Sequence, residues 1–244
     1  MLYLLVLSCV FLSVLTFNLA PEHLQIFTDP TGNTDSYFGF SVALLEGTQP
    51  RLVIGAPRGY PTSFSSLNTT RPGIIYFCSV NNNTPCEQVL PGKPEEFLEL
   101  SNTEDVFLGA SLDVEHNGSG LVACAPRWSH WFNATSCSDA GCFLGLCYFM
   151  KDAGEEKSVE RLNQKIDPND FVIESGTRRF MIHRQAGISV QFVQNSQDVL
   201  MGATGIDRGN GGILRFQDAN NDHVTTVLYA YRNQRRVTDN YFGE

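Results

Sequence analysis

No stretch of this sequence sustains the 3.6-residue period of an amphipathic helix. That absence removes helical bundles and helix-wrapped parallel sheets as organising schemes. Cationic surplus is missing too. Lys and Arg number 17 against 26 Asp and Glu, a formal net charge of −9, which argues against nucleic acid as a partner. After the N-terminus there is no apolar run long enough to span a membrane. The five histidines (His23, His116, His130, His183, His223) show no His-Glu-x-x-His spacing. A Gly-x-Ser-x-Gly elbow and a phosphate-cradling Gly-rich loop are likewise absent, and the chain reads as a non-enzyme. Alternating aspartates ahead of a glycine, the mark of a calcium loop, do not occur. Asp218-Ala-Asn-Asn221-Asp222 lacks the glycine and the terminal acid and reads as a hairpin turn, so no metal or cofactor is expected here.

What the sequence does contain is repetition. Tyr37-Phe38-Gly39-Phe40-Ser41-Val42 is followed by Gly55-Ala56-Pro57. Phe107-Leu108-Gly109-Ala110-Ser111-Leu112 leads to Cys124-Ala125-Pro126, and Gln185-Ala186-Gly187-Ile188-Ser189-Val190 to Gly202-Ala203-Thr204. Tyr241-Phe242-Gly243 opens a fourth copy. A third mark closes each unit: Gly73-Ile74-Ile75-Tyr76-Phe77, Gly145-Leu146-Cys147-Tyr148-Phe149, and Gly212-Ile213-Leu214-Arg215-Phe216. Successive units start 70, 78 and 56 residues apart. Units of this size stack or array radially, because none buries a core alone.

Each unit reads as four short strands separated by Gly-, Pro-, Asn- and Ser-rich loops. The first gives 40–45, 51–56, 73–79 and 86–90. The second gives 110–114, 120–125, 145–150 and a weak polar strand at 157–162. The third gives 188–193, 198–203, 212–217 and 224–231. Four antiparallel strands repeated radially make the blade of a β-propeller. The expected fold class is therefore all-β, a partial β-propeller of about three blades (22–90, 97–163, 180–232) and the start of a fourth (238–244). The rival is an array of immunoglobulin-like sandwiches, whose domains run near ~100 residues and need a different Cys/Trp layout. In an up-and-down meander, the loops joining second to third strands and the links between blades emerge on one face. The long loops here are of that kind: 58–72, 127–144, 205–211, 91–106 and 166–184. Long loops on a rigid scaffold are where binding usually resides.

Leu2 to Phe17 is almost wholly apolar. It reads as a secretory signal peptide, residues 1–16, cleaved after Thr16. Cys9 leaves with it, and six cysteines remain. An even count behind a signal peptide implies disulfides. Cys78 and Cys86 flank a hairpin turn and are expected to pair. Cys124 and Cys147 neighbour each other in one sheet, leaving Cys137 with Cys142; the alternative joins Cys124 to Cys142 and Cys137 to Cys147. Asn68, Asn82, Asn117 and Asn133 are N-glycosylation acceptors.

Phe17-Asn18-Leu19 at the mature start, Tyr-Phe-Gly-Phe-Ser, Gly-Ala-Pro-Arg and Ala-Cys-Ala-Pro-Arg-Trp together resemble the FG-GAP repeats of an integrin α-subunit headpiece. Trp128-x-His130-Trp131 after the second Ala-Pro adds to the likeness, which covers residues 17–244. The deviant third repeat looks like that of an invertebrate α subunit. The resemblance implies an adhesion receptor whose seven-bladed propeller pairs with an integrin β subunit and binds an extracellular-matrix or cell-surface ligand. It implies an aromatic cage for a basic side chain of that β subunit at Tyr37, Phe40, Phe107 and Tyr241, with Ile188 where another aromatic is common. It implies ligand contacts at Trp128, His130, Trp131, Asp167, Ile206, Asp207 and Arg208. Calcium loops are expected only in the later blades of a full-length member. The chain reads as a truncated piece of a single-pass membrane protein that faces the extracellular side. The competing reading is a soluble secreted FG-GAP propeller that binds matrix or carbohydrate.

Overall fold

A computed structural model describes residues 24–62, 71–89, 105–128, 143–151, 159–162, 185–206, 211–216 and 224–229, except 48, 82, 83, 117 and 119. For 159–162 and 224–229 it describes the backbone alone. The twelve strands among these residues are β1 (Ser41–Leu45), β2 (Arg51–Ala56), β3 (Ile74–Ser79), β4 (Glu87–Val89), β5 (Ser111–Val114), β6 (Gly120–Ala125), β7 (Leu146–Lys151), β8 (Val159–Leu162), β9 (Ala186–Phe192), β10 (Val199–Ala203), β11 (Gly212–Phe216) and β12 (Val224–Tyr229). They form three four-stranded antiparallel meanders, β1–β4, β5–β8 and β9–β12, each in chain order. The expected all-β architecture of a partial propeller is what the chain adopts.

The register shows that the units are equivalent. Gly55, Cys124 and Gly202 precede the last residue of the second strand, and Ala56, Ala125 and Ala203 face Ile74, Leu146 and Gly212 across the ladder. That pairing corrects the third closing mark by one residue. The glycine equivalent to Gly73 and Gly145 is Gly211, which shares their positive φ (85°, 74° and 78°), and Gly212 already belongs to the strand. The strand β9 also begins at Ala186 rather than Ile188, because a register shift between Met201 and Ala203 lengthens the ladder.

Period-2 alternation assigns each sheet's two faces. In the second sheet Leu121, Ala123, Ala125, Leu146, Tyr148 and Met150 point toward the first sheet, where they meet Val53, Ile75 and Phe77. Val122, Cys124, Cys147 and Phe149 point the other way, onto Val199, Met201, Leu214 and Phe216 of the third. The middle sheet is thus apolar on both faces, which explains its near-continuous hydrophobic strands. The far face of the first sheet carries Ile54, Ala56, Ile74, Tyr76 and Cys78, partly covered by Phe27 and Phe38 from the preceding segment. Each large side chain withdrawn from water in these seams contributes roughly 1.5–3 kcal/mol.

Adjacent sheets are also joined by polar contacts that recur. Ser41 Oγ donates to the Gly109 carbonyl and Ser111 Oγ to the Gly187 carbonyl, both at 2.7 Å. The Leu108 amide donates to the Pro72 carbonyl and the Ala186 amide to the Leu144 carbonyl, both at 3.1 Å. This proximity leaves no room for a β-carbon at Gly73 or Gly145, which would run into the backbone of Leu108 and Ala186 respectively.

Two disulfides lock the sheets internally. Cys78 is bonded to Cys86 across the β3–β4 turn, and Cys124 to Cys147 between β6 and β7. The second is the first of the two pairings weighed from the sequence. Cys137 and Cys142 lie outside the described residues, as do the signal segment, Asn68, Asn82, Asn117 and Asn133. Cys124 occupies the place that Gly55 holds in the first unit, and its bridge packs directly on Gly187.

The segment before β1 is tied down through one buried phenol. Tyr76 Oη donates to Asp29 Oδ1 at 3.1 Å and accepts from Gln88 Nε2 at 3.0 Å. Gln88 Oε1 in turn accepts from the Thr62 amide and hydroxyl. Burial pushes the Tyr76 phenol up to about 12. In the unfolded chain the same group ionises near ~10.

Two outcomes follow from these contacts. Gly145→Ala forces a β-carbon into the Ala186 backbone at a positive φ, and the expected loss is about 2 kcal/mol or more, read as a lower melting temperature. Between pH ~10 and about 12 the unfolded state releases the Tyr76 proton that the folded state keeps. Stability therefore falls as pH rises through that window, and Tyr76→Phe flattens the slope in alkaline melting curves.

Candidate functional site

The residues at the start of each first strand and the end of each second strand meet at one end of each sheet. A shared hydrogen-bond pattern builds this corner. The Gly39 and Gly109 amides donate to the carbonyls of Gly55 and Cys124 at 3.1 and 3.0 Å. The Phe40 and Ala110 amides donate back to Tyr37 and Phe107, and the Arg58 and Arg127 amides to Ser36 and Val106. The corner is strained. Tyr37, Phe107 and Gln185, none of them glycine, sit at φ 58°, 65° and 48°. A non-glycine residue in that region costs on the order of 1 kcal/mol or more, and the same cost recurs at the same place in three units.

The strained turn aims its first side chain along the rim. Tyr37 is 46% exposed and Phe40 58%, and their rings stack at 6.4 Å. Ile188 lies at the corresponding corner of the third unit and is 36% exposed. Phe107 is half-buried. Phe38 turns inward instead, edge-on to Tyr76 at 5.2 Å. Tyr241, the remaining member of the expected cage, lies outside the described residues.

Sequence reasoning did not anticipate what covers these rings. The Arg58 guanidinium lies 5.3 Å from the Tyr37 ring centre, and Nη1 donates to Tyr37 Oη at 3.4 Å. Arg127 lies 4.9 Å from the Phe107 ring centre and 5.5 Å from that of Phe143. Both arginines follow Ala-Pro, so the signal that could have found them was the shared Ala-Pro-Arg. The third unit has Ala203-Thr204-Gly205 there. Its Gln185 replaces the ring, and the Thr204 hydroxyl donates to Gln185 Oε1 at 3.1 Å.

Two of the expected ligand contacts are buried in the structure. Trp128 is only 3% exposed and Ile206 only 1%. Trp128 packs in the seam between the first and second sheets and Ile206 in that between the second and third. The reason is their repeat position. Gly59, Trp128 and Ile206 are equivalent: their carbonyls accept the amides of Gly73, Gly145 and Gly211 at 3.2, 3.0 and 3.0 Å. An apolar side chain at this repeat position turns into the seam. His130, Trp131, Asp167, Asp207 and Arg208 lie outside the described residues. Among the described residues no three His, Cys, Asp or Glu side chains are grouped to hold a metal ion, and no helix is long and apolar enough to cross a membrane.

Trp128→Ala is expected to cost about 3–5 kcal/mol by emptying a seam, whereas Phe40→Ala, which removes an exposed ring, stays within about 0.5 kcal/mol. Thermal melting of the two variants distinguishes core from rim; equal losses would mean that the seam assignment of Trp128 is wrong.

No family model matches the chain. It is similar to Integrin alpha-PS3 of Drosophila melanogaster, 27% identical over 212 residues that cover 81% of this chain and 18% of that protein. To Integrin alpha pat-2 of Caenorhabditis briggsae it is 27% identical over 193 residues, 74% of this chain and 15% of the relative. To human Integrin alpha-7 it is 26% identical over 188 residues, 71% and 15% respectively. The chain thus spans less than a fifth of the length of these relatives. Taken with the three repeated sheets, the matches make the chain similar to integrin α subunits over most of its length.

Proposed function

We propose that the chain serves in an integrin-type adhesion receptor subunit on the extracellular side of the plasma membrane. Its rim pairs with an integrin β subunit, and the loops on the same side take an extracellular-matrix or cell-surface protein. The role is adhesive rather than catalytic. Similarity to integrin α subunits supports the class. Two disulfides suit the oxidising compartment such a receptor occupies.

The observation that carries the reading is the exposed rim. Tyr37, Phe40 and Ile188 are apolar, solvent-facing and set at equivalent corners of the array. Large apolar side chains held in water are costly for a free surface and mark an interaction site. Aromatic side chains of this kind are typical interface anchors.

The test is co-secretion of the full chain with a tagged integrin β subunit from animal cells. Capture of the chain on the tag is expected, and Phe40→Ala combined with Ile188→Asp is expected to reduce it at least tenfold with an unchanged melting temperature. A folded chain that is not captured, or rim variants captured as well as the parent, would refute the pairing.

A further inference from the structure

We propose that the Cys78–Cys86 bridge is a redox latch on the first sheet. Closed, it holds the root of the long loop 58–72 and the segment ahead of β1 through one side chain, Gln88. A dithiol reductant opens it and releases both while the seams between sheets stay intact. The inference concerns the chain by itself and does not depend on its pairing with a β subunit.

Gln88 uses both of its donors and both lone pairs of its oxygen. Nε2 donates to the Tyr60 carbonyl at 3.2 Å and to Tyr76 Oη at 3.0 Å, and Oε1 accepts the Thr62 amide and hydroxyl, both at 2.9 Å. The bonds to Tyr60 and Thr62 grip the root of the loop. The bond to Tyr76 passes on to Asp29, whose Oδ1 also accepts the Thr31 amide and hydroxyl. Across the ladder Gln88 faces Tyr76, and the residues in that place are Arg161 in the second unit and Val227 in the third. A side-chain amide stands there only in the first sheet.

The strand that carries Gln88 is weak by itself. β4 has three residues, pairs with β3 through those three and lies at the edge of its sheet, whereas β8 has four residues and β12 six. An edge strand so short opens readily. The bridge supplies what the ladder lacks. Cys86 directly precedes Glu87, and Cys78 directly follows Phe77, the ladder partner of Glu87. Neither β8 nor β12 adjoins a cysteine.

Access separates the two bridges. Cys124 and Cys147 are fully buried between the second and third sheets, against Gly187. Cys78 is buried too, but Cys86 is half-buried beside the edge strand, so an external thiolate reaches the Cys86 Sγ first. That attack forms a mixed disulfide on Cys86 and expels the Cys78 thiolate, which takes up a proton in its apolar surroundings. The reagent's second thiol then attacks the mixed disulfide, frees Cys86 and closes the reagent as its own disulfide. Two electrons and two protons pass from the dithiol to the bridge.

The experiment treats the full secreted chain with dithiothreitol in the absence of denaturant, blocks free thiols with iodoacetamide and maps them by mass spectrometry. Hydrogen exchange is followed on the same samples. Cys78 and Cys86 are expected to be labelled at least about tenfold faster than Cys124 and Cys147. Exchange at the Thr62 amide is expected to rise about tenfold on reduction, with exchange in β6 and β10 unchanged. Gln88→Leu, which keeps the bulk and removes the bonds, is expected to raise Thr62 exchange as far with the bridge intact, and reduction then adds little. C78A/C86A reproduces the reduced state without a reagent. Equal labelling of all four cysteines, or faster exchange in β6 and β10 on reduction, would mean global opening and overturn the latch. A Thr62 amide indifferent to reduction, or a rise on reduction as large in Gln88→Leu as in the parent, would overturn it as well.

Discussion

Neighbouring sheets in this protein come close enough for backbone to touch backbone, and most other features answer to that proximity. The Gly109 and Gly187 carbonyls each receive a serine hydroxyl from the preceding unit, which satisfies an acceptor that the seam would otherwise bury unpaired. An unpaired buried polar group costs about 1–3 kcal/mol. The Gly-x-Ser mark is therefore a joint. Glycine lets the chain approach, and serine two residues on makes the same contact with the next unit. Where the second sheet meets the third, the Cys124–Cys147 bridge takes the place of one of the approaching glycines and rests on the other.

The joint also explains the rim. Turning the chain sharply into the first strand puts Tyr37, Phe107 and Gln185 at positive φ, and a side chain at such a corner points along the edge of the sheet. In the first two units that side chain is aromatic and an arginine two residues after the shared alanine lies over it. Structure at the seam and chemistry at the surface thus come from one turn, and the third unit, with its Gln and Thr, keeps the turn but changes the chemistry.

Much of this was legible in the sequence, because period-2 alternation and paired glycines are local signals. The strands 51–56 and 120–125 were read at their observed limits, and the alternation of Leu121, Val122, Ala123 and Cys124 assigns their faces directly. The doubled Gly211-Gly212 hid the third closing glycine, since only backbone dihedrals tell which of two adjacent glycines makes the turn. The burial of Trp128 and Ile206 was not legible, because aromatic and apolar residues beside a long loop resemble binding anchors. Only the packing in three dimensions shows that both side chains lie in the seams between sheets. The arginine-on-ring contacts depend on side-chain direction, which spacing does not encode.

The position held by Gly59, Trp128 and Ile206 is the most variable in size of any shared by the three units, yet its carbonyl makes the same bond in each. Main chain and side chain are uncoupled there: one anchors the third strand, while the other sets how much volume fills the gap to the preceding sheet. An array built from such units can tune the wedge angle between members one substitution at a time.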